Sequence, residues 1–315
     1  MADCELSVII PCYNAGRYLS QAIDSVLSQE SSVRSLEVIV INDHSTDRDS
    51  LDALSNCERT PGVRVLHNAG RPGPGAARNL GIDAADGEWI AFLDADDVWL
   101  PEGLEARWQV VQRTPDAEWV GADLRLWYED GTLAADAYFK SGDISGQLLS
   151  EAYRTGRPIR VRRPVNEFIR SALAWTGTVM VKRDLIRHLG GFDPSLRQAQ
   201  DLHMWISLSR VADFFFVPRT VALYRQHAAS LTHGNEPPER WSISAHRRLL
   251  RDQNFRPYRA LQRLKLSHCH QANAYYYRER GEMWHAACEA ARALTYTPLC
   301  LASWRNLAAS LARKR

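Results

Sequence analysis

No window of this 315-residue chain approaches about 18 consecutive apolar residues, the length that marks a membrane-spanning helix. The six cysteines, at positions 4, 12, 57, 269, 288 and 300, show no CxxC spacing. Free thiols in a reducing compartment therefore fit better than a disulfide or zinc framework. His268-Cys269-His270 has no second ligand pair nearby, which argues against zinc there too. The N-terminal stretch Met1-Ala2-Asp3-Cys4-Glu5-Leu6 lacks the basic and apolar regions of a signal peptide, so a cytoplasmic location is expected. Also missing is the glycine fingerprint of a dinucleotide-binding enzyme. After the first apolar run the chain reads Pro11-Cys12-Tyr13-Asn14-Ala15-Gly16, and the lone Gly73-x-Gly75 follows the third run. An NAD enzyme is excluded. A nucleotidyltransferase would need a basic, glycine-rich loop at the same place, where Arg17 is the first basic residue.

What is present is an ordinary globular composition, 45% hydrophobic and 24% charged, on a chain long enough to bury a sizeable core. The net charge of +2 hides an asymmetry, because residues 240 to 315 hold 15 Lys+Arg against 4 Asp+Glu. The rest is acidic. A basic tail on an acidic body suits either an anionic surface or intramolecular complementarity.

The first hundred residues alternate two hydrophobic periods. Leu6–Ile10, Leu36–Ile41, Val63–Leu66 and the run from Trp89 to Leu93 read as buried strands. Between them lie helical patterns: Leu19, Ile23, Val26 and Leu27 behind an Asn14 cap, then Leu51 and Leu54, then Ala76 to Ala85 behind the Gly/Pro-rich loop 70–75. Such β-α repeats imply a parallel sheet covered by helices, with ligands beyond the carboxyl ends of its strands. Pro11, Asp43 and Asp94 all fall at those ends. Phe92-Leu93-Asp94-Ala95-Asp96-Asp97 puts three carboxylates directly after an apolar run, an arrangement suited to a divalent metal carrying a phosphorylated ligand. An acidic turn capping the next helix would read the same way, with Asp97 as the cap.

Four segments together resemble the family 2 glycosyltransferases, inverting enzymes with the GT-A fold. They are Ser7-Val8-Ile9-Ile10-Pro11-Cys12-Tyr13-Asn14, Asn42-Asp43-His44-Ser45-Thr46-Asp47, Ala76-Ala77-Arg78-Asn79 and Phe92-Leu93-Asp94-Ala95-Asp96-Asp97. The resemblance runs in order from residue 6 to about residue 230. It implies a Rossmann-like, mostly parallel sheet flanked by helices, with a helical C-terminal extension. By position, Asp43 matches the aspartate that recognises the nucleotide base, usually uracil, and Pro11 and Tyr13 match the loop around that base. Asp94 and Asp96 match the DxD motif, the first facing the ribose and the second a Mn²⁺ or Mg²⁺ ion bridging the phosphates. Arg78 lies where it approaches the nucleotide, a structural role being the competing reading. In the second half, Asp201 matches the general base, Gly177 a glycine beside the donor sugar, and His227 a histidine that completes the metal shell. His67, His188 and His203 have no such context and are expected to be structural.

Two positions depart from the family pattern: Asn42 replaces the first acid before Asp43, and Gln200 replaces a glutamate before Asp201. The resemblance implies a catalytic domain over 1–239, divided into a nucleotide-binding half (1–120) and an acceptor-binding half (121–239), followed by a basic helical extension over 240–315. In that extension one helix is expected from Leu261 and another from Ala272 to Ala293. Residues 121–175 leave the family motifs and are rich in aromatics and arginine, among them Trp127, Tyr138, Phe139, Tyr153, Arg160 and Arg163, which suits an acceptor site, with a loop-rich insert packing on the sheet as the competing reading. The implied activity is transfer of a sugar from a nucleoside diphosphate sugar, a UDP-sugar first among them, to a glycan or lipid-linked hydroxyl in cell-surface polysaccharide synthesis. A catalytically silent sugar-nucleotide or glycan-binding protein is the alternative. No nucleic acid is expected as a partner. Trp284, Trp304 and Arg313-Lys314-Arg315 suit peripheral contact with an anionic membrane at its inner face, with packing on the catalytic domain as the competing reading.

Overall fold

Short apolar runs separated by polar turns fold as the periodicity predicts. The computed structural model describes residues 4–140, 143–227 and 236–311. The repeats are β1 (Leu6–Cys12), α1 (Gly16–Leu27), β2 (Leu36–Asn42), α2 (Arg48–Cys57), β3 (Val63–His67), α3 (Pro74–Ala84) and β4 (Trp89–Phe92). There follow β5 (Val98–Trp99), α4 (Gly103–Arg113), β6 (Trp119–Tyr128), α5 (Asp143–Leu148), α6 (Ser150–Thr155), β7 (Ile159–Val161) and α7 (Val165–Arg170). The sheet is completed by β8 (Met180–Lys182), then α8 (Arg183–His188), α9 (Gln200–Val211) and β9 (Phe214–Gln226). Among the described residues four α-helices follow: α10 (Arg240–Arg251), α11 (Arg259–Glu279), α12 (Met283–Tyr296) and α13 (Leu301–Leu311).

Among the described residues nine strands form one sheet, ordered β3-β2-β1-β4-β8-β6-β9-β5, with β7 also on β9. The run β3-β2-β1-β4 is parallel; β1, β2 and β3 end level, Cys12 pairing with Asn42 and Asn42 with His67, while β4 stops three residues short, Phe92 pairing with Ile9. Beyond β4 the pairing turns antiparallel through β8, except that β6 and β9 run parallel. Leu19, Ile23 and Val26 bury the inner face of α1, each contributing about 1.5–3 kcal/mol by leaving water. Where α1 meets α2 the backbones nearly touch. A Cβ at Gly16 would lie 2.2 Å from the Ser50 nitrogen, so only glycine fits there.

The chain divides into two compact units, one of Met1–Arg197 with Met204–Ser230, the other of Gln198–His203 with Leu231–Arg315. Three local expectations change. Asn14 does not cap α1; it adopts a positive φ of 50°, and its carboxamide oxygen accepts the N–H of Thr46 at 2.9 Å, tying one loop to the next. Leu27, at the helix end, is 41% exposed. The stretch from Ala272 to Ala293 is not one helix, because Gly281 turns the chain with a φ of 77° and separates α11 from α12. Arg313-Lys314-Arg315 lie outside the described residues.

Candidate active site

The crevice beyond β1, β2 and β4 is built from loops that hold one another. Asp43 follows β2 and is buried, and both its oxygens accept hydrogen bonds. Asn68 Nδ2 donates to Oδ1 at 2.6 Å and the Gly73 N–H to Oδ2 at 2.8 Å. Each oxygen keeps a lone pair. The Gly/Pro loop thus serves to aim Asp43, a role its composition did not announce. Asn42 is not a vestige of a lost acid: its carbonyl accepts the Ser45 N–H at 2.9 Å and its amide meets His67 Nδ1 at 3.2 Å. Asp47 caps α2 by accepting the Ser50 N–H at 2.8 Å. Pro11 lies within β1 opposite Ile41, and Tyr13, just beyond, is 58% exposed, open to stack on a ligand.

The carboxylate loop lies two strands away, about 10 Å by sheet spacing. Arg78, 3% exposed on α3, donates from Nη2 to Asp94 Oδ1 at 2.5 Å, with its guanidinium carbon 5.5 Å from the centre of the Phe192 ring. Its neighbour Asn79 exchanges two 2.8 Å bonds with the Phe192 backbone, 113 residues away. The Ala-Ala-Arg-Asn motif therefore holds the site together, and Arg78 reaches it through Asp94. Asp96 Oδ2 lies 3.0 Å from His227 Nε2. Asp97 caps no helix. It is followed by β5, is 2% exposed, and accepts the Arg225 N–H at 2.8 Å. At Gly177 a Cβ would stand 3.8 Å from Leu93 and 3.9 Å from Asp97, ordinary contacts, so the protein itself does not demand glycine there. The Gly177 carbonyl accepts from Trp99 Nε1 at 2.8 Å.

Burial pushes the Asp96 carboxyl above its usual range, aided by the Asp94 charge and opposed by the hydrogen bond from His227. Burial also pushes Asp97 well up, with Asp96 and then Asp94 adding repulsion. Such a cluster is relieved by a cation. Among the described residues no group of three or more His, Cys, Asp and Glu side chains could hold a metal ion by itself. Asp96 and His227 converge within one coordination shell, and an oxygen and an imidazole nitrogen with phosphate oxygens completing the set suit a divalent ion such as Mn²⁺. The pair fits the group.

Asp201 opens α9 and belongs to the second compact unit; it is half-buried, with Oδ1 accepting the Leu202 N–H at 2.8 Å. Gln200 before it is buried. The aromatic and arginine-rich stretch separates into two groups. Phe139 is buried, Tyr153 donates to the buried Asp123, and Arg160 and Arg163 pair with Asp213 at 2.7 and 3.6 Å, all serving the fold. Tyr138, Trp175 and Tyr224 form a ring series with centroids 5.5 and 4.6 Å apart, and Tyr138 is 40% exposed.

Sequence reading missed Asn68, Gly73 and Arg225.

The pattern of glycosyl transferase family 2 matches residues 7–190. An uncharacterized glycosyltransferase of Rickettsia bellii is 30% identical over 209 residues, 66% of this chain and 27% of that protein. Another from Nostoc sp. (strain PCC 7120) is 39% identical over 150 residues, 47% of this chain and 43% of the relative. The chain thus spans less than half the length of either. Among solved structures, S. aureus TarS 1-349 in complex with UDP-GlcNAc superimposes with a TM-score of 0.61 at 17% identity, covering 93% of this chain and 82% of the other. The mannosyltransferase PcManGT from Pyrobaculum calidifontis, in complex with GDP-Man and Mn²⁺, gives 0.62 at 19%, covering 96% and 78%. At such identities the likeness establishes the fold, a mixed sheet flanked by helices with a helical C-terminal region.

Proposed function

The chain belongs to glycosyl transferase family 2, and from that premise we propose that it is an inverting, metal-dependent transferase moving a sugar from a nucleoside diphosphate to an acceptor hydroxyl. The observation that carries this reading is the unbalanced carboxylate group at the end of β4, with Asp96 facing His227 and Asp43 held by two N–H donors across the crevice.

Asp43 selects the base. Its free lone pairs accept a ring N–H, which uracil, thymine and guanine offer at their pairing edge and cytosine and adenine do not. A UDP-sugar is the first candidate, as in the TarS complex, although PcManGT binds GDP-Man. Arg78 orients Asp94 toward the ribose, and Tyr13 covers the base. Asp96 and His227 would hold a Mn²⁺ or Mg²⁺ ion, whose chemistry would be to offset charge on the departing diphosphate. Asp201 takes the acceptor proton as its oxygen attacks in line, so no covalent intermediate is needed. The acceptor is a glycan or lipid-linked saccharide seated against Tyr138, Trp175 and Tyr224. Cell-surface polysaccharide synthesis is the process this chemistry suits.

No helix among the described residues is long and apolar enough to cross a membrane. Leu299, Leu301 and Trp284 are 93%, 73% and 75% exposed on the basic helical unit, which supports peripheral contact with anionic lipid at the inner membrane face.

The test is turnover of UDP-, GDP- and dTDP-sugars with Mn²⁺, following the product's anomeric configuration by NMR. Inversion is expected, and Asp201→Asn is expected to lose roughly 10²–10⁴-fold in rate while still binding nucleotide. Retention of configuration, or full turnover by the variant, contradicts the mechanism. Binding without any turnover favours the silent binding protein.

A further inference from the structure

Arg225 links three pieces of the first unit that the proposed reaction needs in register. Its backbone N–H donates to Asp97 Oδ1 at 2.8 Å, Nε to the Asp96 carbonyl at 2.7 Å, and Nη2 to Gln21 Oε1 at 2.8 Å. The guanidinium carbon lies 4.5 Å from the Tyr18 ring centre and 3.8 Å from that of Trp127. Tyr18 and Gln21 belong to α1, the helix that follows the turn at residues 13–15, so one side chain ties that helix to the carboxylate loop. The Tyr18 ring also lies 5.2 Å from His227.

These contacts use what distinguishes arginine. A planar fork reaches two acceptors in fixed directions while its faces stack between rings, and a lysine ammonium does neither. The Asp96 carbonyl is held through Nε while the Asp96 carboxylate faces His227, and the Asp97 N–H closes the turn onto the Asp94 carbonyl at 3.0 Å.

We propose that Arg225 is a positioning residue for the metal pair. It clamps the Asp96-Asp97 turn against α1, so that the Asp96 carboxylate and the His227 imidazole stand ready for one ion. This rests on the reading of Asp96 and His227 as metal ligands. Partners that orient metal ligands typically matter about 10–100-fold in metal affinity.

The experiment titrates Mn²⁺, followed by electron paramagnetic resonance, into protein saturated with UDP and, in parallel, with GDP. Wild type is compared with Arg225→Lys, Arg225→Ala and Gln21→Ala, and UDP and GDP affinities are also measured in chelator. Arg225→Lys and Arg225→Ala are expected to weaken Mn²⁺ binding about 10-fold or more, with metal-free nucleotide affinity within about twofold of wild type. Gln21→Ala, which removes the α1 anchor alone, is expected to show a smaller loss. If Arg225→Ala does not fold, the lysine and Gln21 variants carry the test. Unchanged Mn²⁺ affinity in Arg225→Lys overturns the proposal, as does an equal weakening of metal and metal-free nucleotide, which marks a structural role. Absence of Mn²⁺ binding by wild type overturns the metal-pair reading itself, and the inference with it.

Discussion

In the first unit Asp94 meets Arg78, Asp96 meets His227, and Asp97 accepts the Arg225 N–H, with the Arg225 charge only partly offsetting the burial and repulsion that push it up. In the second unit a buried acid is treated differently. Glu289 accepts from His270 Nδ1 at 2.6 Å and from Arg292; burial works against its charge, yet these bonds hold it below the usual carboxylate range. His270 stacks on Tyr296 and receives Arg247 at 3.3 Å, while Cys269 turns to Glu239. Cys269 and His270 are therefore engaged in packing the helices, while His268 is exposed. Charge that the fold balances is structural. Crowded carboxylates, two of them pushed upward, are the reason the proposed reading puts a cation at this place.

The largest effect that sharpens this contrast involves His246 on α10. It is fully buried, its Nδ1 lies 2.7 Å from Gln262 Oε1, and burial lowers its pKa from 6.5 to about 4. Gln262 and the Glu239 charge oppose that shift, while Lys265 and His203 add to it. A histidine kept neutral in the fold takes up a proton more readily when unfolded. Its contribution is complete above pH 6.5 and is lost as the pH falls toward 4, a change of roughly 3 kcal/mol. Protection of the α10 and α11 amides, measured relative to their intrinsic exchange rates at each pH, should fall over that window, and His246→Gln should remove most of the fall. An unchanged pH profile in the variant would remove His246 from the account.

A smaller effect concerns the outer face of the second unit. Trp284 and Trp304 are 75% and 53% exposed. Sedimentation with vesicles containing anionic lipid should pull down the wild type, and replacing both tryptophans with serine should reduce the bound fraction severalfold. Equal binding to neutral vesicles, or no loss in the variant, would assign these rings to another role.

Much of the first unit was legible because each strand and the acids after it lie within a dozen residues of one another. Hydrophobic period gives the strand, strand direction gives the end, and four ends in a parallel run give a crevice. Asp43, Asp94, Asp96 and His227 became candidates this way or through the resemblance that followed. The hidden features depend on pairs far apart in the chain. Asn79 holding Phe192, Arg225 holding the Asp96 carbonyl, and Gly73 aiming Asp43 follow from the finished topology, which no local pattern encodes. Asn14 was misread for the same reason. Its helix-start signal is real, yet the adjacent loop offered its carboxamide two N–H donors, Thr46 at 2.9 Å and Asp47 at 3.4 Å. The split at Gly281 was hidden by continuous helical propensity on both sides of it.

The most direct test of the central claim is the thermal stabilisation of the protein by UDP, GDP, dTDP and CDP, each with and without Mn²⁺, in wild type and Asp96→Ala. The account predicts a shift that requires Mn²⁺, comes from a nucleotide with a ring N–H and not from CDP, and disappears in Asp96→Ala. A shift that ignores the metal or survives in Asp96→Ala would contradict it, as would no shift with any nucleotide.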